Sequence, residues 1–153
     1  MRVRWLVGAV VATAALVGAP QTSIAATYRL GIVAVDFRFA GIPSSLPAGE
    51  YDVQFFNGSR VHPHEAVAFD LGPECANYNR AQVIALLDQP EADAFIECPN
   101  LAFEGFTFAE PLGRDRQTYN LVPGRTFFAC FIDTGGTPHF KLGLLSIVNV
   151  RVA

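Results

Sequence analysis

Methionine is almost missing from this chain: the single one is the initiator, Met1. No internal residue can therefore offer a thioether to a metal or a redox centre. Histidine is nearly as scarce, with His62, His64 and His139 the only three, and cysteine is limited to Cys75, Cys98 and Cys130. Lys and Arg number eleven against fourteen Asp and Glu. A surface for nucleic-acid phosphates is disfavoured by that balance, and no nucleic-acid partner is expected. The chain also lacks HExxH, GxSxG, a P-loop and a Gly-rich dinucleotide fingerprint, so no enzyme is expected. Asp36 and Asp133 can be cast as carboxylates beside a His or Cys130, but a Cys/His hydrolase would need an orienting geometry that the sequence does not supply. Internal repeats and low-complexity tails are missing too.

What is present begins with MRVRWLVGAVVATAALVGAPQTSIAA. Arg2 and Arg4 precede an uncharged apolar run from Trp5 to Val17, and small residues follow at Ala25 and Ala26. This is the pattern of a secretory signal peptide, expected over residues 1–26. A membrane anchor fits less well, because the run is short and ends at Pro20 rather than at a basic cluster. Export to a periplasm, cell envelope or external medium is expected, with no membrane span after cleavage. Residues 27–153 are enough for one domain with its own core and too few for two ordinary ones.

All three cysteines lie in the exported part, where disulfides form and persist. The simplest pairing joins Cys75 to Cys98 and leaves Cys130, inside an apolar strand, as a free thiol. A disulfide-linked dimer through any one of them is the alternative to a monomer.

Apolar and polar residues alternate in TYRLGIVAVDFRF from Thr27, EYDVQFFN from Glu50 and EAVAFDL from Glu65, which predicts half-buried strands. In the second, Tyr51, Val53 and Phe55 share the core face. Pro43, Pro47 and Gly49 precede that strand, and Asn57, Gly58 and Ser59 follow it as turn residues. Strands joined by short turns predict an antiparallel sandwich. The period changes between Asn79 and Asp88, where Val83, Ile84 and Leu87 take helical spacing behind an Asn cap. Pro90 is placed to start a second short helix. The β pattern resumes at LAFEGFTFAE, with bulk from Phe103, Phe106 and Phe108 and a bulge at Gly105. The strands RQTYNLV, RTFFACFID and LLSIVNVRV close the chain, with turns at Pro123-Gly124 and Gly135-Gly136.

A strand-borne thiol at Cys130 with two imidazoles from the three histidines is a donor set that suits one copper ion in a trigonal site. The sequence of elements resembles the cupredoxin family, which includes plastocyanin. In DFRFAGIPSSLPAGEYDVQFFNGSRVHPHEAV, the extended strand, Pro/Gly turn, aromatic strand and Asn turn lead to His64, similar to the family's first ligand histidine. In VPGRTFFACFIDTGGTPHFKLGLLSIVNV, Cys130 and His139 resemble its thiolate and second imidazole. Leu144, after Gly143, stands where the family usually places an axial Met. The loop of residues 131–138 between Cys130 and His139 is longer than in plastocyanin-like members.

The resemblance implies an all-β, Greek-key β-sandwich of cupredoxin type with a short helical insertion. It also implies one type 1-like copper held by His64, Cys130 and His139, with a redox partner meeting His139. Without an axial donor such a site favours Cu(I) and a higher reduction potential. Copper handling without a redox circuit and a metal-free envelope module are the rival readings. His62 reads as a loop histidine on the opposite side of a strand-like backbone from His64. Glu65 reads as an acceptor for a ligand imidazole or as a solvated carboxylate. Pro138, Phe140, Leu142 and Leu144 read as a docking patch around His139 or as core. The acidic Glu91, Asp93 and Glu97 on the insertion read as a guide for a basic partner or as a solvated helix face.

Overall fold

The computed structural model describes residues 27–153, so the expected signal peptide at 1–26 lies outside the described residues. Two sheets stack face to face. The first contains β1 (Thr27–Val35), β2 (Arg38–Ala40), β4 (Gly49–Asn57) and β7 (Arg114–Leu121), in the order β2-β1-β4-β7. The second contains β3 (Ser45–Pro47), β5 (His64–Asp70), β6 (Ala102–Ala109), β8 (Gly124–Ala129) and β11 (Leu145–Arg151), in the order β3-β11-β8-β5-β6. A small ribbon pairs β9 (Asp133–Thr134) with β10 (Thr137–Pro138).

The sheets are mixed rather than purely antiparallel. β4 runs parallel to β1, and β11 parallel to β3. The cause is the excursion between β1 and β4: the chain crosses to the other sheet at β3 before it returns, and a connection of that length delivers β4 in the same direction as β1.

Alternation in β4 falls as expected, with Tyr51, Val53 and Phe55 buried between the sheets. The opposite face carries Asp52, which accepts a two-point hydrogen bond from Arg116 at 2.6 and 2.8 Å. β8 does not alternate at all. Phe128 packs between the sheets while Phe127 and Ala129 are covered by helices, so the strand is buried on both faces.

Those helices are α1 (Gly72–Cys75), α2 (Arg80–Asp88) and α3 (Glu91–Glu97). Asn79 caps α2 reciprocally: its side chain accepts from the Gln82 backbone N–H, and the Gln82 side chain accepts from Asn79 N–H. The pair satisfies two otherwise orphaned donors. Val83 and Leu86 then face Phe127 and Leu145 in a second apolar cluster. A Cys75–Cys98 disulfide ties α1 to the end of α3, and Cys130 is free and buried. By the chain-entropy estimate a cross-link spanning this much chain stabilises by about 3 kcal/mol. Among the described residues no helix is long and apolar enough to cross a membrane.

β6 is inside out relative to its aromatic pattern. Phe103, Phe106 and Phe108 face solvent, while Glu104, Gly105, Thr107 and Ala109 face inward. The core there is already filled by Tyr119, stacked with Phe128, so only small residues fit beneath it. A Cβ on Gly105 would stand 2.2 Å from the Tyr119 ring. The predicted irregularity is present: Ala68 pairs with Gly105 and Phe69 with Phe103, leaving Glu104 as the extra residue of a bulge.

The bulge turns the Glu104 carboxyl inward, where it accepts from Val122 N–H and the Thr126 hydroxyl, both at 2.7 Å. Burial pushes its pKa from 4.5 up to about 7, with the neighbouring Asp70 charge adding to the rise. The folded state thus holds this proton more tightly than the unfolded chain. The stability so gained is complete below pH 4.5 and is lost as the pH rises through 7. Denaturant unfolding across that window is expected to show a fall on the order of 3 kcal/mol through this group. In Glu104→Gln that component of the slope should vanish; an unchanged slope would remove Glu104 as its source.

Candidate metal centre

His64 is the first residue of β5 and is placed by the turn that precedes it. The buried Asn57 side chain donates to the carbonyls of His62 (2.8 Å) and Ala109 (3.0 Å), and its Oδ1 accepts from Ser59 N–H at 2.9 Å. Ser59 Oγ accepts in turn from the N–H groups of Val61 and His62. These bonds fix the segment after β4 and start β5 at His64, opposite Ala109.

Cys130 follows the last residue of β8 and continues its pairing. Its N–H donates to Leu144 O at 3.1 Å, and its carbonyl accepts from Phe140 N–H at 2.8 Å. His139 opens the short helix α4 (His139–Leu142), with its N–H on Ile132 O at 2.9 Å. Gly143 closes that helix at φ +139, and a Cβ there would stand 2.2 Å from the Phe37 carbonyl oxygen. Only glycine fits both the conformation and the contact.

Three elements thus bring three donors together. His64 Nδ1 and His139 Nδ1 are 3.1 Å apart, and Cys130 Sγ is 3.4 Å from His139 Nδ1. The donor atoms all lie within 4.8 Å of one another, and all three residues are buried. Among the described residues this is the only such group of three or more His, Cys, Asp and Glu. A backbone N–H, that of Glu65, points at the sulfur from 3.5 Å.

Burial lowers His64 to about 4, with the His139 and His62 charges contributing, and the Asp36 carbonyl opposes the shift. His64 Nε2 nevertheless has no hydrogen bond of good geometry. His139 is lowered by burial and by His62, against the opposing charge of Asp133. The Cys130 thiol is pushed up to about 11 by burial, although the Glu65 and Ile132 backbone groups favour its anion. Near neutral pH these residues by themselves are therefore two neutral imidazoles and a neutral thiol. One soft sulfur and two imidazole nitrogens fit copper, and the cluster could hold one ion.

Several neighbours lie elsewhere than their sequence positions imply. His62 does not point away: its ring centroid is 5.8 Å from that of His139 and 5.7 Å from that of Phe37. The Ser59-anchored turn removes the strand-like alternation on which the opposite-side expectation rested. Glu65 accepts from Phe131 N–H at 2.8 Å, not from an imidazole. Thr134, which no sequence motif marks, holds His139 Nε2 at 2.7 Å through its hydroxyl. Asp133 accepts from Gly136 N–H at 2.7 Å and shapes the β9–β10 turn. Of the apolar residues around His139, Phe140 and Leu144 are core and Leu142 is half-exposed.

Comparison with solved structures places this architecture. Dithionite-reduced auracyanin from Roseiflexus castenholzii matches with a TM-score of 0.53 at 20% identity, over 80% of this chain and 96% of that one. Auracyanin A of Chloroflexus aurantiacus, described as a "blue" copper protein, matches with a TM-score of 0.54 at 14% identity, over 82% of this chain and all of that one. Rusticyanin from Thiobacillus ferrooxidans matches with a TM-score of 0.53 at 17% identity, over 82% of this chain and 77% of that one. The fold is that of a cupredoxin. No protein-family model and no curated protein sequence matches the chain.

In this cupredoxin fold a metal ion entering the cluster meets donors of which only the thiol must lose a proton. Metal loading at pH 7 is therefore expected to release about one proton per ion. Calorimetric titration in buffers of different ionisation enthalpy measures this number, which should drop to near zero in Cys130→Ser. Release of two protons would mean that an imidazole is charged before the metal is added.

Proposed function

We propose that this chain is an exported, blue-copper-type electron-transfer protein, in which His64, Cys130 and His139 hold one copper ion. The carrying observation is the convergence of three buried donors, one thiol and two neutral imidazoles, from β5, the end of β8 and the start of α4. Copper held by such a set supplies a one-electron couple. The chain's own part is rigidity: the Asn57 turn fixes His64, the Leu144 and Phe140 backbone bonds fix Cys130, and Thr134 fixes the His139 ring. The Glu65 N–H toward the sulfur stabilises the thiolate that copper requires.

Export is supported by the signal-like residues 1–26 and by a disulfide suited to an oxidising compartment. Residues 27–153 act as the mature domain, and with Cys130 buried and Cys75 bonded to Cys98, no thiol is left for a covalent dimer.

A second reading, copper handling through Cu(I), is favoured by Leu144, which is fully buried beside Cys130 and carries no donor. A site without an axial ligand favours Cu(I) and raises the potential. The visible spectrum after Cu(II) loading separates the readings. An intense thiolate-to-copper band, abolished in Cys130→Ser, is expected for the electron carrier. Tight Cu(I) binding with no stable Cu(II) complex would mean the handling role, and failure to bind either ion would end both.

A further inference from the structure

The packing that gathers the donors also closes the imidazole end of the site. His139 is fully buried, its Nε2 engaged by Thr134 and its ring faced by Phe37 and His62. A macromolecule approaching there meets no bare imidazole edge.

The site approaches the surface again through the residue after Cys130. Phe131 is 37% exposed and lines an open groove of about 390 Å³. One wall is the outer face of β5, with Val67 and Phe69; the other is the helical insertion, with Leu87 and Phe95. The solvent-facing Phe103 of β6 extends the apolar surface, its ring 5.6 Å from that of Phe69.

The helical wall of the groove is acidic. No Lys or Arg occurs between Arg80 and Arg114, whereas Asp88, Glu91, Asp93 and Glu97 all lie on the helical insertion. Glu91 lines the groove, Asp93 stands on the same helix, and among the described residues Asp88 alone of these pairs with a cation, Lys141. A second copy would bring carboxylates against carboxylates. An occupant of opposite charge is drawn in by the same field.

We propose that this groove docks a protein whose contact face is basic around an apolar centre. Resting on the copper reading above, that protein is the electron-exchange partner, held one residue from Cys130 by contact with Phe131. One electron passes between the Cu(I)/Cu(II) couple and the partner's own redox centre, and no bond or proton changes.

The test uses cytochrome c, a redox protein with a lysine-ringed haem edge, titrated into the 15N-labelled protein with and without copper. Amide shifts are expected to cluster at Leu87, Phe95 and Phe131 in both forms. They should fade by about 0.3 M salt, where screening reaches contact distances. In a Glu91→Gln, Asp93→Asn variant the apparent Kd should rise several-fold while the visible copper band stays unchanged. Shifts centred on Val61, His62 and Leu142, shifts without a focus, or an unchanged Kd in the variant would overturn the docking site. Groove shifts without any copper band would instead sink the copper reading and leave the docking surface standing.

Discussion

The peptide of Cys130 is gripped from both sides by one short turn: its N–H by Leu144 O and its carbonyl by Phe140 N–H. The His139–Leu142 helix sits within that grip, so the antiparallel pairing of β8 with β11 runs past the end of the sheet and fixes the distance between thiol and imidazole. The rest of the site leans on this clamp. Gly143 permits the helix to close against Phe37, and Leu144, having given its carbonyl to Cys130, buries its side chain in the sandwich core. The separation of the Cys130 and His139 backbones is thereby set by main-chain hydrogen bonds, while the Asn57 and Thr134 side chains settle His64 and the His139 ring.

Enclosure has opposite effects on the two kinds of donor. It holds imidazoles neutral, the form a metal needs, and it keeps the thiol protonated, the form a metal must displace. The Glu65 N–H directed at the sulfur works against the second effect, and it is available because Glu65 follows His64 directly in β5. One strand thus contributes an imidazole through a side chain and a sulfur partner through its backbone.

Much of this was legible in the chain because the informative residues are scarce. With three cysteines the Cys75–Cys98 disulfide is the simplest pairing, and with three histidines the cupredoxin resemblance needs only to select His64 over His62; the geometry brings His64, Cys130 and His139 together. The Asn79 cap and the alternation of Tyr51, Val53 and Phe55 are local signals, and both hold. What was not legible depends on partners distant in sequence. The inversion of β6 follows from the space Tyr119 takes, and the parallel pairing of β1 with β4 from a crossover that no local pattern records. The seal over His139 is likewise assembled from Phe37, His62 and Thr134, which come from three separate segments.

Asn57 followed by Gly58 is a dipeptide prone to deamidation, in which the glycine nitrogen attacks the asparagine side chain and leaves a carboxylate. In the folded protein that nitrogen is committed to Ala34 O at 2.8 Å, and the side-chain amide is committed to two carbonyls. The fold therefore protects its own chemical lifetime at this position. A chain damaged there while unfolded would confront the carbonyls of His62 and Ala109 with a negative charge, loosening the turn that carries His64. Ageing would in this way reach the metal centre through a residue that never touches it, and the interval before folding is when the molecule is most exposed to it.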